Sequence, residues 1–281
     1  MLFINAFAVA LSFSLGPATL AVLSGFHPNN LPYHSEPRGG QTGYNQCGTK
    51  AKKDSKCQNL FIKSAEDFCI FAPPTRMKVG DAERDCVAYC TKSGYGTRLI
   101  PPKTFQNLHY VRTPHYIQLV ALGDFTKVNV EPNDQGGELD PSGADGRGNP
   151  IGGLVFGDQG QQFDHWTEFL SYDEICLRAC FNGPEASRYC EHIYDEMGCR
   201  WNMPARYDVA GFYECEGDDV PLPMGEYRRP DGSIYKWHQG QQPTPGPGAP
   251  GKINKCKYVK TPGAYYPSMK RATISEKIEF D

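Results

Sequence analysis

Beyond residue 24, no stretch of this chain is apolar enough to span a bilayer, and neither sign of charge is in large excess. The formal net charge is −3 and the pI lies near 6.2. The first absence argues against a helical membrane protein once the N-terminal segment is removed. The second removes the basic footprint of a nucleic-acid binder, so no nucleic-acid partner is expected. The chain contains no G-x-S-x-G nucleophile elbow and no HExxH motif, so it carries no signature of a serine hydrolase or zinc protease. It has no N-x-S/T acceptor for N-glycosylation and no internal repeat. Hydrophobic residues make up only 39%. The 30 Gly and 23 Pro imply many turns and little long helix, while 15 Phe and 16 Tyr supply bulk for a core.

Residues 1–24 carry no charged side chain and are almost wholly apolar, which reads as a secretory signal peptide cut after Ala18, Ala21 or Ser24. The rival is an N-terminal anchor, and Pro17 with the polar, cysteine-rich chain that follows favours cleavage. Eleven cysteines suit an oxidising compartment. Ten fall in one block as disulfide candidates: Cys47, Cys57, Cys69, Cys86, Cys90, Cys176, Cys180, Cys190, Cys199 and Cys215. Cys256 stands apart and is expected to be free or to form an intermolecular disulfide. The pairs Cys86/Cys90 and Cys176/Cys180 fit zinc spacing only loosely. Export favours oxidation, so no metal is expected.

Four regions follow: a signal peptide (1–24), a polar extended arm (25–40), a disulfide-rich globular domain (41–240), and a Pro/Gly linker with a basic disordered tail (241–281). Cys47 and Cys57 bracket a short basic loop that one bridge closes. Residues 105–130 are rich in β-branched and aromatic residues, with a bend at Gly123-Asp124, and predict two or three antiparallel strands. The stretch HWTEFLSYDEICLRACF predicts a helix, with Ser171 and Glu174 as a capping box. Cys176 and Cys180 then lie at i and i+4, nearly parallel and so placed to bridge outward rather than to each other. A short strand is expected over 209–215. The fold class is α+β and β-rich, a single disulfide-stapled secreted domain with short helices and long loops.

The Gly/Asp-rich loop at 135–155 offers Glu138, Asp140, Asp145 and Asn149, but not at calcium-loop spacing. Glu138/Asp140 and Asp164/Glu168 are the carboxylate pairs a glycosidase would need, although solvated acids are the simpler reading. His192, Tyr194 and Met197, held between Cys190 and Cys199, are haem-ligand candidates, together with His109 and His115. A structural role is expected for them.

Many blocks in order, among them QTGYNQC, DFCIFAPP, YCTKSGYGTRLIP, TPHYIQLVALGDFTKVNV, EICLRAC, YCEHIYDEMGCRWNMP and GFYECEGDDVPLPMGEY, resemble the macrophage-activating glycoprotein family of basidiomycete fungi, which is related to a cytokine-inducing mannoprotein. The resemblance covers about residues 40–240. It implies a secreted fungal protein without catalytic activity, extracellular or cell-wall associated, and acting at the cell surface or host interface as an effector or immune-stimulating antigen. Its partner would be a cell-wall polysaccharide or a host surface component. The mannoprotein relative implies a haem- or iron-scavenging alternative, with haem as cofactor. A carbohydrate-active enzyme is the third reading.

Overall fold

A computed structural model describes residues 25–35 and 39–262. The signal-peptide segment and the end of the expected tail lie outside the described residues. The chain is mostly β-sheet, with helices of five residues or fewer among those described.

Six strands form a first sheet: β1 (Asn59–Ser64), β2 (Asp67–Ala72), β3 (Val87–Cys90), β4 (Arg98–Leu99), β8 (Leu154–Phe156) and β9 (Gln162–Phe163), in the order β4-β3-β2-β1-β8-β9. Seven form a second: β5 (Leu108–Arg112), β6 (Tyr116–Leu122), β7 (Gly137–Leu139), β10 (His165–Leu170), β11 (Glu174–Cys180), β12 (Phe212–Gly217) and β15 (Ile253–Tyr258), in the order β15-β12-β5-β6-β11-β10-β7. A small hairpin, β13 (Glu226–Arg228) with β14 (Ile234–Lys236), stands apart.

The two sheets share one core. Phe71 of β2 meets Trp166 of β10 with ring centroids 5.5 Å apart, and Phe68 meets Phe105 at 5.4 Å. Alternation along the seven-stranded sheet sorts its two faces. Ile117, Leu119 and Ala121 of β6 and Ile175, Leu177 and Ala179 of β11 enter the inter-sheet core. Tyr116, Gln118 and Val120 and their partners Cys180, Arg178 and Cys176 face the other way. That outer face is covered by residues 181–209. Cys176, Val120 and Phe169 pack with Cys199, Met203 and Tyr207, and Cys180 and Tyr116 pack with Ala186 and Cys190.

The helix expected over HWTEFLSYDEICLRACF is therefore a hairpin, β10 to β11, paired in register from His165↔Cys180 to Leu170↔Ile175. Residues at i and i+4 share one face of a strand as well as of a helix, and β11 is buried on both faces, so no alternation marks it as a strand. The serine contact is present but closes the turn: Ser171 Oγ accepts the Glu174 N–H at 3.0 Å. The strands expected in 105–130 and near 209–215 form as β5, β6 and β12.

Five disulfides join Cys47–Cys57, Cys69–Cys90, Cys176–Cys199, Cys180–Cys190 and Cys215–Cys256. As expected, Cys176 and Cys180 bridge outward, each to the covering segment. Two assignments change. Cys90 stands directly across the β2–β3 ladder from Cys69, while Cys86 precedes the ladder and is a buried free thiol. Cys256, expected to be free or to bridge to another molecule, lies opposite Cys215 in β15. That strand extends the sheet past residue 240, so the chain beyond that boundary is partly folded. Residues 241–246 are engaged as well: Trp237 Nε1 and Trp201 Nε1 donate to the carbonyls of Gln241 and Pro245, at 3.1 and 3.0 Å.

Burial raises the Cys86 thiol well above its ordinary range. Native protein should therefore leave Ellman's reagent unreacted and denatured protein should show one thiol, mapped to Cys86; a thiol on Cys256 would refute the pairing. Replacing Cys176 and Cys199 by serine should lower unfolding free energy by about 3 kcal/mol, read from urea midpoints.

Candidate functional site

The first sheet builds an open groove at one end. Residues Asn59, Phe61 and Lys63 come from alternate positions of β1, and the loop at 45–49 is tied to the head of that strand by the Cys47–Cys57 bridge. Residues 27–31, Gly94-Tyr95, Gly157, Gln159 and Gly160 complete a space of about 800 Å³. Its floor is apolar: Phe61 and Tyr95 stack with centroids 4.4 Å apart, and Lys63 Nζ lies 4.8 Å from the Tyr95 ring centre. Its walls carry side-chain amides. Two are locked, since Asn45 Nδ2 donates to Asn59 Oδ1 at 2.8 Å and Asn59 Nδ2 donates to the Asn45 carbonyl at 2.7 Å. Gln46 Nε2 pins the arm by donating to the Leu31 carbonyl at 2.9 Å. Asn29, Asn30 and Gln159 are exposed along the rim. Among the described residues no Asp or Glu lines the groove. Amides offer paired donors and acceptors, so such a surface suits neutral, hydroxyl-rich ligands.

The carboxylates singled out in the sequence are elsewhere, most of them interior. Glu168 faces the inter-sheet core, is fully buried, and accepts the Phe71 N–H at 3.1 Å; burial raises its pKa well above the carboxylate range. Asp164 is exposed at the start of the β10 hairpin, bonded to Asn182 at 2.8 Å. Glu138 points from β7 into the outer layer, where it accepts Thr167 Oγ1 at 2.7 Å and hydrogen-bonds the Asp195 carboxyl. Burial first, then that carboxyl, push Glu138 up to about 9. Glu83, beside it, is pushed to about 7 by burial and accepts Asn149 Nδ2 at 3.1 Å. Asp140 accepts the N–H groups of Ser142 and Gly143 at 2.7 Å each. Asp145 forms an ion pair with Arg84 at 2.7 Å and another with Arg147 at 2.7 Å. The loop is thus a hydrogen-bonded corner, and among the described residues no cluster of three or more His, Cys, Asp or Glu is arranged to hold a metal ion.

The haem-ligand candidates fall in four settings. Tyr194 is fully buried between Trp201 and Trp237, at centroid distances of 4.8 and 5.8 Å, and its hydroxyl donates to the Trp237 carbonyl at 2.8 Å. A Cβ on Gly225, whose φ is +79°, would collide with that hydroxyl. Met197 packs at the edge of the same cluster. His192 lies 3.4 Å from Asp140 and 3.4 Å from Ser142. His115 stacks on Tyr189 and meets Asp219 at 2.7 Å. His109 lies on the outer face of β5 against Tyr213. The sequence reading missed the groove, whose walls come from five separated segments.

No protein-family model and no solved structure matches the chain. Appressorium protein ROW2 of Mycosarcoma maydis is 43% identical over 262 residues, spanning 90% of this chain and 88% of the relative. Appressorium protein ROW1 of the same fungus is 46% identical over 231 residues, spanning 79% of this chain and 53% of the relative, so the chain covers about half of ROW1. The chain belongs to the family of these appressorium proteins. This corrects the family named from sequence blocks, the macrophage-activating glycoproteins, while the affinity to basidiomycete proteins stands.

The native state holds a proton on Glu138 between the unfolded value of 4.5 and about 9. Stability should therefore fall as pH rises through that window, the sign opposite to that of a salt-bridged carboxylate. Urea midpoints from about pH 5 to about pH 9 should decline, and Glu138→Gln should flatten the decline. An unchanged slope in the variant would remove Glu138 as its source.

Proposed function

We propose that the protein is a secreted, non-enzymatic component of the fungal surface that works where the fungus meets its host. In this reading it holds neutral cell-wall polysaccharide in the groove beside β1. The observation that carries the placement is the identity to an appressorium protein across about nine tenths of both chains. Five disulfides support an oxidising destination.

The groove supports the partner. Its size suits an extended chain of several sugars, its amides match hydroxyls in both donor and acceptor sense, and its apolar floor offers Phe61 and Tyr95. The lack of acidic side chains in its lining supports retention without hydrolysis, because glycosidic cleavage requires a carboxyl pair across the scissile bond. The interior carboxyls Glu138 and Glu168 serve the packing of the sheets in this reading.

The placement is tested by expressing a tagged copy in M. maydis lacking ROW2. It should appear at the surface of infection structures or in the medium; retention inside the cell would refute it. The partner is tested by co-sedimentation with insoluble chitin, β-1,3-glucan and cellulose. At least one should retain the protein, and the double change Asn30→Ala, Gln159→Ala should weaken retention about tenfold. Retention by none, or equal retention of the variant, would remove the groove from the function.

A further inference from the structure

The Cys47–Cys57 bridge closes a loop whose charge is opposite to that of the chain. Between the two cysteines lie Lys50, Lys52, Lys53 and Lys56 against one acid, Asp54, a net +3 in a protein whose formal net charge is −3. All four lysines are exposed, and among the described residues none of them forms an ion pair.

The backbone beneath these side chains is held in place. Ser55 is buried; its hydroxyl donates to the Gly96 carbonyl at 2.7 Å, and its own carbonyl accepts Arg98 Nε at 2.9 Å. The Lys52 N–H donates to the Thr97 carbonyl, and the Lys56 carbonyl accepts the Tyr44 N–H, each at 3.1 Å. Gly96, at φ +68°, lets two segments pass so closely that a Cβ there would lie 2.0 Å from the Cys47 carbonyl oxygen. The lysines therefore stand on a preformed scaffold, and binding through them orders side chains without having to order the loop. Like charges fixed this close together repel one another, and a bound anion relieves that repulsion.

Composition selects among anions. Apart from the cysteines, Ala51 is the only hydrophobic residue of the loop. It has nothing to insert into a lipid surface, and stable membrane anchoring takes a second signal beside a basic patch. It has no aromatic ring on which a base could stack, and the chain as a whole is acidic, which disfavours a nucleic acid. An extended polymer bearing carboxylates and hydroxyls fits: the lysines answer the first, and Thr49, exposed beside Lys50 at the groove rim, can bond the second.

We propose that this loop binds an acidic polysaccharide, a polyuronate whose ring carboxylates pair with Lys50, Lys52, Lys53 and Lys56. The charge of the loop carries the inference, which does not depend on a neutral polymer lying in the groove.

The test is a calorimetric titration of the full chain with polygalacturonate and with the same polymer fully methyl-esterified, which keeps the sugar backbone and loses the charge. The acid form should bind about tenfold more tightly than the ester, and raising NaCl from about 50 to about 200 mM should weaken it about tenfold. The combined change Lys50→Gln, Lys52→Gln, Lys53→Gln, Lys56→Gln should abolish the preference for the acid form, whereas arginine at the same four positions should preserve it; circular dichroism checks that both variants are folded. The proposal is overturned by an absence of binding at about 50 mM NaCl, by equal affinity for the ester, or by a preference that survives the glutamine changes. Polyglutamate or phosphatidylserine vesicles binding as tightly as polygalacturonate would also overturn it, placing the partner in another class. The glutamine variant should still sediment with neutral polysaccharide, and Asn30→Ala, Gln159→Ala should still bind polygalacturonate, so the two readings fail separately.

Discussion

A guanidinium without a carboxylate sits at the centre of the outer layer, and the arrangement around it depends on how it is satisfied. Arg178 is fully buried in β11. Its Nε and Nη2 donate to Gln118 Oε1 at 3.0 and 2.6 Å, its Nη1 donates to the Tyr189 carbonyl at 2.8 Å, and its plane lies 4.5 Å from the Tyr116 ring centre. A buried charge is tolerated only when hydrogen-bonded throughout. Two of these partners are on the neighbouring strand, but the Tyr189 carbonyl belongs to the covering segment. That segment must therefore stay in place, and the bridges from Cys176 and Cys180, two residues to either side of Arg178, hold it there.

The legible part of the fold was local. Aromatic and β-branched density marked β5 and β6, and the short Cys47–Cys57 loop announced its own bridge. The outward reach of Cys176 and Cys180 was also legible, because helix and strand place positions four apart on one side alike. What could not be read depended on partners far away in sequence. β11 looks helical because both its faces are buried, which erases the alternation that identifies a half-exposed strand. Cys86 and Cys256 exchange roles because ladder position decides pairing: Cys90 and Cys256 stand opposite partners, and Cys86 does not. β15 reads as a polar, lysine-rich tail because it is an edge strand whose side chains are largely exposed.

The site was less legible than the fold. Several residues chosen for their chemistry became internal: Glu138 bonds Thr167, Glu168 caps a backbone N–H, and Tyr194 fills an aromatic cluster. The groove draws on residues that attract no attention singly, amides and glycines from five segments. His109 was singled out as a haem ligand, but it stands on the outer sheet face against Tyr213.

The bridges are also arranged so that none joins one sheet to the other. Each closes near its own place in the chain, with Cys180–Cys190 nested inside Cys176–Cys199 and Cys215–Cys256 enclosing the aromatic cluster's hairpin and the Pro/Gly stretch. A peptide bond cut anywhere between Cys215 and Cys256 leaves both ends attached, and β15 remains in its sheet. The largely exposed Pro/Gly-rich stretch 241–251 thus lies within a covalent ring, where a single nick separates nothing.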